Sequence, residues 1–213
     1  REPLTELELS KLESKDGAQA RQMVEARPLL AYGATALTVG VSPSFVIYLQ
    51  LGDGEIITIS ERGEISKPLP EDESLIANET TSLCTDTAAQ DFRFACQPLA
   101  GPPPALILMT TDGYANSFED EAGFLKVGSD ILEMLRADGF DAVNRSVKGW
   151  LEEATRIGSG DDCTLAVICR MDALERPATV ATVPGAIAGP APHPVVPAGA
   201  GGDVVEDQVS KQN

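Results

Sequence analysis

The sequence predicts an α+β fold on three observations. Apolar and β-branched runs alternate with turn residues between positions 34 and 60, a pattern typical of short strands. The run at 105–109 is wholly apolar, which is typical of a central strand buried on both faces. From 119 to 157 the apolar residues recur at helical spacing instead. Strands and helices therefore occupy separate stretches, as in α+β domains.

The N-terminal half is expected to begin with helix and to continue with strands. Residues 4–30 favour helix, with a break near Gly17 and a stop at Pro28. An Asp-Gly pair lies between two β-rich runs at 52–54, so we expect a hairpin turn there. Four strands are expected before the central one: 34–40, 45–51, 55–60 and 92–96.

The C-terminal half is expected to hold two helices and a last strand. Phe124, Ile131 and Leu135 supply an apolar stripe for the first helix, and residues 141–157 form the second. A Gly-Ser-Gly segment then ends this helix and leads into the strand. The chain thus divides into three expected units: a helical lead-in at 1–30, a folded domain at 31–172 and a disordered Pro/Ala/Gly-rich tail at 173–213.

Two aspartates lie at the ends of strand-like runs. Asp112 closes the central apolar run, and Asp161 opens the last one. If these strands are antiparallel neighbours, the end of one and the start of the other share a sheet edge, so the two carboxylates converge. Converging carboxylates indicate a site for a hard cation.

Each of these residues also has a simpler interpretation. Asp112 precedes a glycine and Asp53 lies in a Gly-Asp-Gly segment, and both patterns make ordinary turns. The Asp-Asp pair at 161–162 fits a solvated connection, and Asn116 fits a helix N-cap as well as a ligand. The joint occurrence of Asp112 and Asp161 favours the metal site over these separate interpretations.

Composition excludes several classes of function. The chain has 16 basic and 33 acidic residues and a net charge of -17, which argues against binding to nucleic acid and means that a phosphorylated substrate needs a cation to approach. The one histidine, His193, lies in the tail, so histidine triads and histidine-rich zinc sites are excluded from the folded part. No run has the length of a membrane span. Four cysteines without a Cys-x-x-Cys pair indicate reduced thiols and a cytoplasmic location.

Four short motifs follow one another along the chain: Gly33-Ala34-Thr35-Ala36 before a strand, Gly52-Asp53-Gly54 in a turn, Thr111-Asp112-Gly113 after the buried strand and Gly160-Asp161-Asp162-Cys163-Thr164 before the last strand. In their order, strand context and spacing they resemble the motifs of the type 2C, metal-dependent protein Ser/Thr phosphatases. The Ala-Asn-Glu-Thr segment at 77–80 is similar to the bacterial branch of that family. The resemblance covers about residues 30–171.

The resemblance implies a sandwich of two antiparallel β-sheets flanked by helices, with the N-terminal strands of that fold lacking from this sequence. It also implies hydrolysis of phosphoserine or phosphothreonine in a phosphoprotein substrate, through water activated by two Mg²⁺ or Mn²⁺ ions. Asp112 and Asp161 are then metal ligands, and Asp53 matches a position that in some members helps to hold an additional metal. No side chain is assigned a direct catalytic role, and the loops at 66–90 and 114–123 are expected to recognise the substrate.

Two departures from the family pattern lead to two hypotheses. Asn116 stands where many members have a further aspartate, and the family's phosphate-binding arginine and metal-bridging Asp-Gly have no counterpart before Gly33, because Asp16-Gly17 follows a helix-like run. On the first hypothesis, this is the C-terminal part of an active phosphatase, and an N-terminal segment or a partner completes its sheets. On the second, it is a non-catalytic pseudophosphatase or interaction module. We favour the first and expect weak or no activity from these residues alone.

Overall fold

In the computed structural model, which describes residues 3–70 and 81–175, the chain folds into two antiparallel β-sheets with helices around them. The strands are Ala36–Val41 (β1), Phe45–Leu51 (β2), Glu55–Ile59 (β3), Ile65–Ser66 (β4), Arg93–Pro98 (β5), Leu106–Thr110 (β6) and Leu165–Cys169 (β7). The helices are Glu6–Asp16 (α1), Ala18–Ala26 (α2), Ala88–Asp91 (α3), Asp112–Ala115 (α4), Glu121–Asp138 (α5), Phe140–Glu153 (α6) and Met171–Leu174 (α7). The predicted α+β class and antiparallel sheets are confirmed.

The two sheets have the strand orders β1-β2-β5 and β4-β3-β6-β7. Their inner faces share one apolar layer, in which Val46 and Tyr48 of β2 pack with Ile56 of β3 and Ile107 of β6. Because this layer draws residues from both sheets, the sheets form a sandwich, as the resemblance implied. Burying each of these side chains contributes about 1.5–3 kcal/mol.

The outer face of the four-stranded sheet is covered by α5 and α6. Leu106 and Leu108 of β6 pack there in one cluster with Ile131 of α5 and Trp150 of α6. Since Ile107 faces the other sheet, β6 is buried on both sides, and this explains why its sequence is apolar without alternation. The central strand predicted at 105–109 is therefore confirmed, displaced by one residue.

The turn at Gly52–Gly54 connects the two sheets and closes no hairpin. β2 pairs with β1 and β5, whereas β3 pairs with β4 and β6, so the predicted hairpin at this turn is wrong. The buried side chain of Gln50 donates to the carbonyl oxygens of Gly52 and Gly54, which holds the turn without a strand ladder. An Asp-Gly pair predicts a turn, but long-range packing decides which strands pair.

The N-terminal helices form as predicted and contribute no buried residue to the core. α1 begins with a capping box, in which Thr5 and Glu8 satisfy each other's backbone amides. It ends at Gly17, whose φ of 90° suits glycine, and Pro28 begins a short 3₁₀ turn, Pro28–Tyr32, after α2. Within the described residues, no helix is long and apolar enough to cross a membrane. The predicted tail at 173–213 begins inside α7, which ends at Leu174. From residue 176 onward it lies outside the described residues, as does the segment at 77–80.

Candidate metal centre

The ends of β6 and β7 form the edge at which the two predicted aspartates lie. The two strands are antiparallel, and Thr110 at the end of β6 faces Leu165 at the start of β7. Beyond this pair, the Thr111 amide donates to the Thr164 carbonyl oxygen at 3.2 Å, and the Thr164 amide donates to Thr111 Oγ1 at 2.9 Å. Thr111 Oγ1 in turn donates to the carbonyl oxygen of Asp162 at 3.1 Å. The side chain of Thr111 therefore binds the segment that follows Asp161 directly beside Asp112.

This binding changes where the last strand starts. Asp161 was expected to open the strand, but β7 begins only at Leu165, and Asp161 lies exposed in the preceding loop. The expected position is wrong because the carbonyl oxygen of residue 162 and the amide of residue 164 both bond to the side-chain hydroxyl of Thr111. Asp161 Oδ1 accepts a hydrogen bond from the Asp162 amide at 2.8 Å, which orients its carboxylate.

A close backbone approach at Gly113 joins the two aspartate segments. A Cβ atom placed on Gly113 would lie 2.7 Å from the carbonyl oxygen of Asp162 and 3.3 Å from Cβ of Asp161. Asp112, the preceding residue, begins α4 and has Thr111 as its N-cap. Asp112 and Asp161 are thus on neighbouring segments that touch, as the strand arrangement predicted.

The third predicted residue, Asp53, lies at the same edge of the sheet. It occupies the turn before β3, whose first residue, Glu55, faces Thr110. A Cβ atom on Gly54 would lie 2.6 Å from the Thr110 carbonyl oxygen, so this turn rests against the end of β6. The structure therefore brings the turn of Asp53 to the edge where Asp112 and Asp161 lie.

The donors at this edge that suit a hard divalent cation are the carboxylates of Asp112 and Asp161, which lie on two segments that touch. Mg²⁺ is commonly bound by one or two carboxylates while water fills the remaining coordination positions. Among residues 3–70 and 81–175, no group of three or more His, Cys, Asp or Glu side chains is placed to hold a metal ion together. A cation bound by these two carboxylates alone would keep much of its water.

Two clefts open beside this edge. One, of about 770 Å³, lies between α6 and the loop at 162–164 and is lined by Lys148 and Leu151 among others. The other, of about 320 Å³, is lined by Asn116, Lys67 and Glu121.

Lys67 Nζ lies 2.5 Å from Glu121 Oε1. Burial lowers the pKa of Lys67, but its bonds to Glu121 and Glu55 outweigh burial and raise the pKa overall. The Lys67 side chain in this cleft therefore stays positively charged beside two acidic side chains.

Asn116 lies at the C-terminal end of a helix and is not an N-cap. It is the C-cap of α4, and its amide donates to the Asp112 carbonyl oxygen at 2.8 Å. The expected N-cap role is wrong because the helix begins at Asp112 and Asn116 follows its last residue, Ala115. Its side chain faces the smaller cleft beside the aspartates.

Thr111 is the residue at this site that the sequence left unnoticed. Two threonines precede Asp112, and a further threonine follows Cys163. Threonine is common in strands for reasons of packing alone, so these positions carry no distinct pattern. A cross-strand threonine pair at the ends of two predicted neighbours is the one feature that points to such a contact.

Tyr114, two residues beyond Asp112, is expected to make the protein sensitive to alkaline pH. Its side chain is fully buried, and burial, with a smaller effect of Cys163, raises the pKa of its hydroxyl above the ordinary value of 10. The unfolded chain therefore loses this proton near pH 10 while the folded chain keeps it, so stability falls as the pH rises above 10. In Tyr114→Phe the urea-unfolding free energy should fall less steeply there, by about 1.4 kcal/mol per pH unit; an unchanged slope would contradict the burial of this hydroxyl.

The family model described as protein phosphatase 2C matches residues 4–152. The crystal structure of a bacterial serine phosphatase carrying a point mutation is 17% identical, over 75% of this chain and 74% of that chain, with a TM-score of 0.46. The catalytic domain of the serine/threonine phosphatase PstP with two manganese ions is also 17% identical, over 78% of this chain and 72% of that one, with a TM-score of 0.46.

A third solved structure is more distant. The phosphatase domain of SpoIIE from Bacillus subtilis is 12% identical, over 84% of this chain and 80% of that chain, with a TM-score of 0.38. None of the curated proteins matches the sequence. The family model thus covers the helices of the lead-in, both sheets up to β6, and α4 to α6, and it ends before Asp161.

Proposed function

Because this chain belongs to the protein phosphatase 2C family, we propose that it is a metal-dependent protein phosphatase acting on phosphoserine and phosphothreonine. The observation that carries the proposal is the contact between the Asp112 and Asp161 segments, made by Thr111 and by the backbone of Gly113. This contact supports a cation site, because it joins the segments of two carboxylate residues at one rigid sheet edge.

Asp112 and Asp161 would hold Mg²⁺ or Mn²⁺, and Asp53 would assist from the neighbouring turn. Bound divalent cations supply a water of lowered pKa and offset charge on the phosphoryl oxygens. The protein's own contribution is to hold the carboxylates in place, through Thr111, and to border the site with clefts that receive the phosphoprotein. Without bound cations, the net charge of -17 would repel a phosphate.

We propose further that an N-terminal segment or a partner completes the two sheets. Among the strands that the structure describes, β7 is at the end of its sheet, so its outer edge is a place where a further strand could pair. On the outer face of the three-stranded sheet, Phe45 and Phe94 are 42% and 57% exposed. Exposed aromatic residues on one sheet face favour a covering element.

A second candidate function is a non-catalytic pseudophosphatase or interaction module. It is favoured by the same exposed aromatic residues, Phe45 and Phe94, since such a face can serve as a binding surface by itself. For either function we propose a cytoplasmic location, which is supported by the free thiols at positions 84, 96, 163 and 169, since reduced thiols are typical of that compartment.

The two functions are separated by following hydrolysis of p-nitrophenyl phosphate and of a phosphothreonine peptide by the full chain. We expect weak hydrolysis that rises with added Mn²⁺ and returns to background with EDTA, because the chelator removes the ion held by Asp112 and Asp161. Hydrolysis that EDTA leaves unchanged would contradict the metal assignment. Stable capture of a protein partner, with neither Mn²⁺ binding nor hydrolysis, would favour the interaction module.

A further inference from the structure

Two serine hydroxyls connect the segments of Asp112 and Asp161 independently of Thr111. The Asp161 amide donates to Ser159 Oγ at 3.2 Å. The hydroxyls of Ser159 and Ser117 lie 3.3 Å apart, and Ser117 Oγ donates to the carbonyl oxygen of Gly113 at 2.7 Å. A hydroxyl has one proton to donate. Ser117 Oγ is placed to donate to Ser159 Oγ, to the Gly113 carbonyl oxygen and, at 3.2 Å, to the carbonyl oxygen of Ala154, so its one proton is shared among three acceptors.

The contact between these serines is enclosed by the fold. Ser117 is only 5% exposed, and its Oγ also accepts from the Ser159 amide at 3.3 Å. A Cβ atom on Gly158 would lie 2.6 Å from Cβ of Ser117, so the glycine is what lets the two segments approach. Gly158 ends a π-helical turn, Ala154–Gly158, that continues α6, and such turns frequently occur at functional sites.

We propose that Ser117 and Ser159 are positioning residues that set the separation of Asp112 and Asp161 and thereby the affinity for the divalent cation. The inference rests on the proposed function. Gly113 follows Asp112 directly, and Ser159 precedes Asp161 by two residues, so the hydroxyl pair links the backbones of both ligands. Thr111 makes the first connection, on the other side of Asp161 in sequence, and the serines make the second. Two connections fix a segment's distance and its orientation, where one alone leaves a hinge.

The test compares Ser159→Thr with Ser159→Val. Threonine and valine have nearly the same shape, so both add a methyl group to this half-buried position, and only threonine keeps the hydroxyl. Mn²⁺ affinity is measured by titration followed by electron paramagnetic resonance, and amide exchange of Asp161 by NMR. We expect Mn²⁺ binding about 10-fold weaker in the valine variant than in the threonine variant, together with faster exchange at Asp161.

The thermal unfolding midpoints of the two metal-free variants serve as the control for a purely structural effect. A structural role would lower the midpoint of the valine variant and leave its Mn²⁺ affinity unchanged. Ser159→Ala, which removes the hydroxyl without adding volume, replaces the valine variant if that variant does not fold. Equal Mn²⁺ affinities with and without the hydroxyl overturn the inference and leave the proposed function intact. A parent chain that binds no Mn²⁺ contradicts the proposed function and overturns this inference with it.

Discussion

Asp112→Asn and Asp161→Asn are each expected to remove the stabilisation that Mn²⁺ confers on the chain, and to lower Mn²⁺-dependent hydrolysis by on the order of 10²-fold. Asparagine keeps the shape of the side chain and an acceptor oxygen for the Asp162 amide, but it removes the negative charge that a hard cation requires. At a Mn²⁺ concentration of 100 times Kd, binding stabilises a folded protein by about 2.7 kcal/mol. This difference between unfolding with and without Mn²⁺ should vanish in both variants.

The matched control is Asp138→Asn. Asp138 is an exposed acid at the last residue of α5, whereas the cleft beside Asn116 includes Glu121, the first residue of that helix. An 18-residue helix spans about 27 Å, so Asp138 changes the net charge by the same amount far from the site. Its Mn²⁺ response should match that of the parent. Undiminished hydrolysis and an unchanged Mn²⁺ response in both site variants would contradict the metal assignment.

The elements that the sequence predicts well are those in which one local pattern decides the outcome. β6 was expected because its residues are apolar without interruption, and burial between a second sheet and α5 demands this composition. The break at Gly17 and the stop at Pro28 follow from the backbone preferences of glycine and proline. In these cases the sequence pattern and the packed structure impose the same requirement.

The partner of a strand is not a local property, and here the sequence was misleading. Gly52–Gly54 has the residues of a hairpin turn, yet β2 and β3 belong to different sheets. The choice is made by Ile56 and by Tyr48, which pack in the layer between the sheets, and by Gln50, which holds the turn. These contacts join residues that local periodicity treats as independent.

The candidate site was predictable in its carboxylates and not in what holds them. Asp112 and Asp161 stand out because a charged residue at the rim of an apolar strand is unusual. Thr111 and Ser117 do not, because a hydroxyl residue at a helix end or in a turn has many roles. Only the backbone approach between Gly113 and Asp162, which no periodicity reports, reveals that these hydroxyls join two separate segments.

Gly113→Ala is expected to destabilise the protein by about 1–3 kcal/mol, against the usual preference for alanine. In a helix interior, alanine is normally favoured over glycine by about 1 kcal/mol, and Gly113 lies in α4. Its new methyl group would stand 2.7 Å from the Asp162 carbonyl oxygen. That oxygen is backbone and is held by Thr111 Oγ1, so it cannot move away without losing this bond. We expect the displaced segment to carry Asp161 with it and to weaken Mn²⁺ binding.

The matched control is Gly149→Ala, which makes the same chemical change at a position where no atom lies close to the new methyl group. Gly149 lies inside α6, and a Cβ atom there would meet nothing within 4 Å, so alanine should stabilise the protein by about 1 kcal/mol. Urea unfolding of the metal-free variants measures both effects, and their opposite signs separate helix preference from the contact at Gly113. If Gly113→Ala were as stable as the parent and bound Mn²⁺ as tightly, the segments of Asp112 and Asp161 would not be in contact. This result would contradict the contact on which the proposed metal site is based.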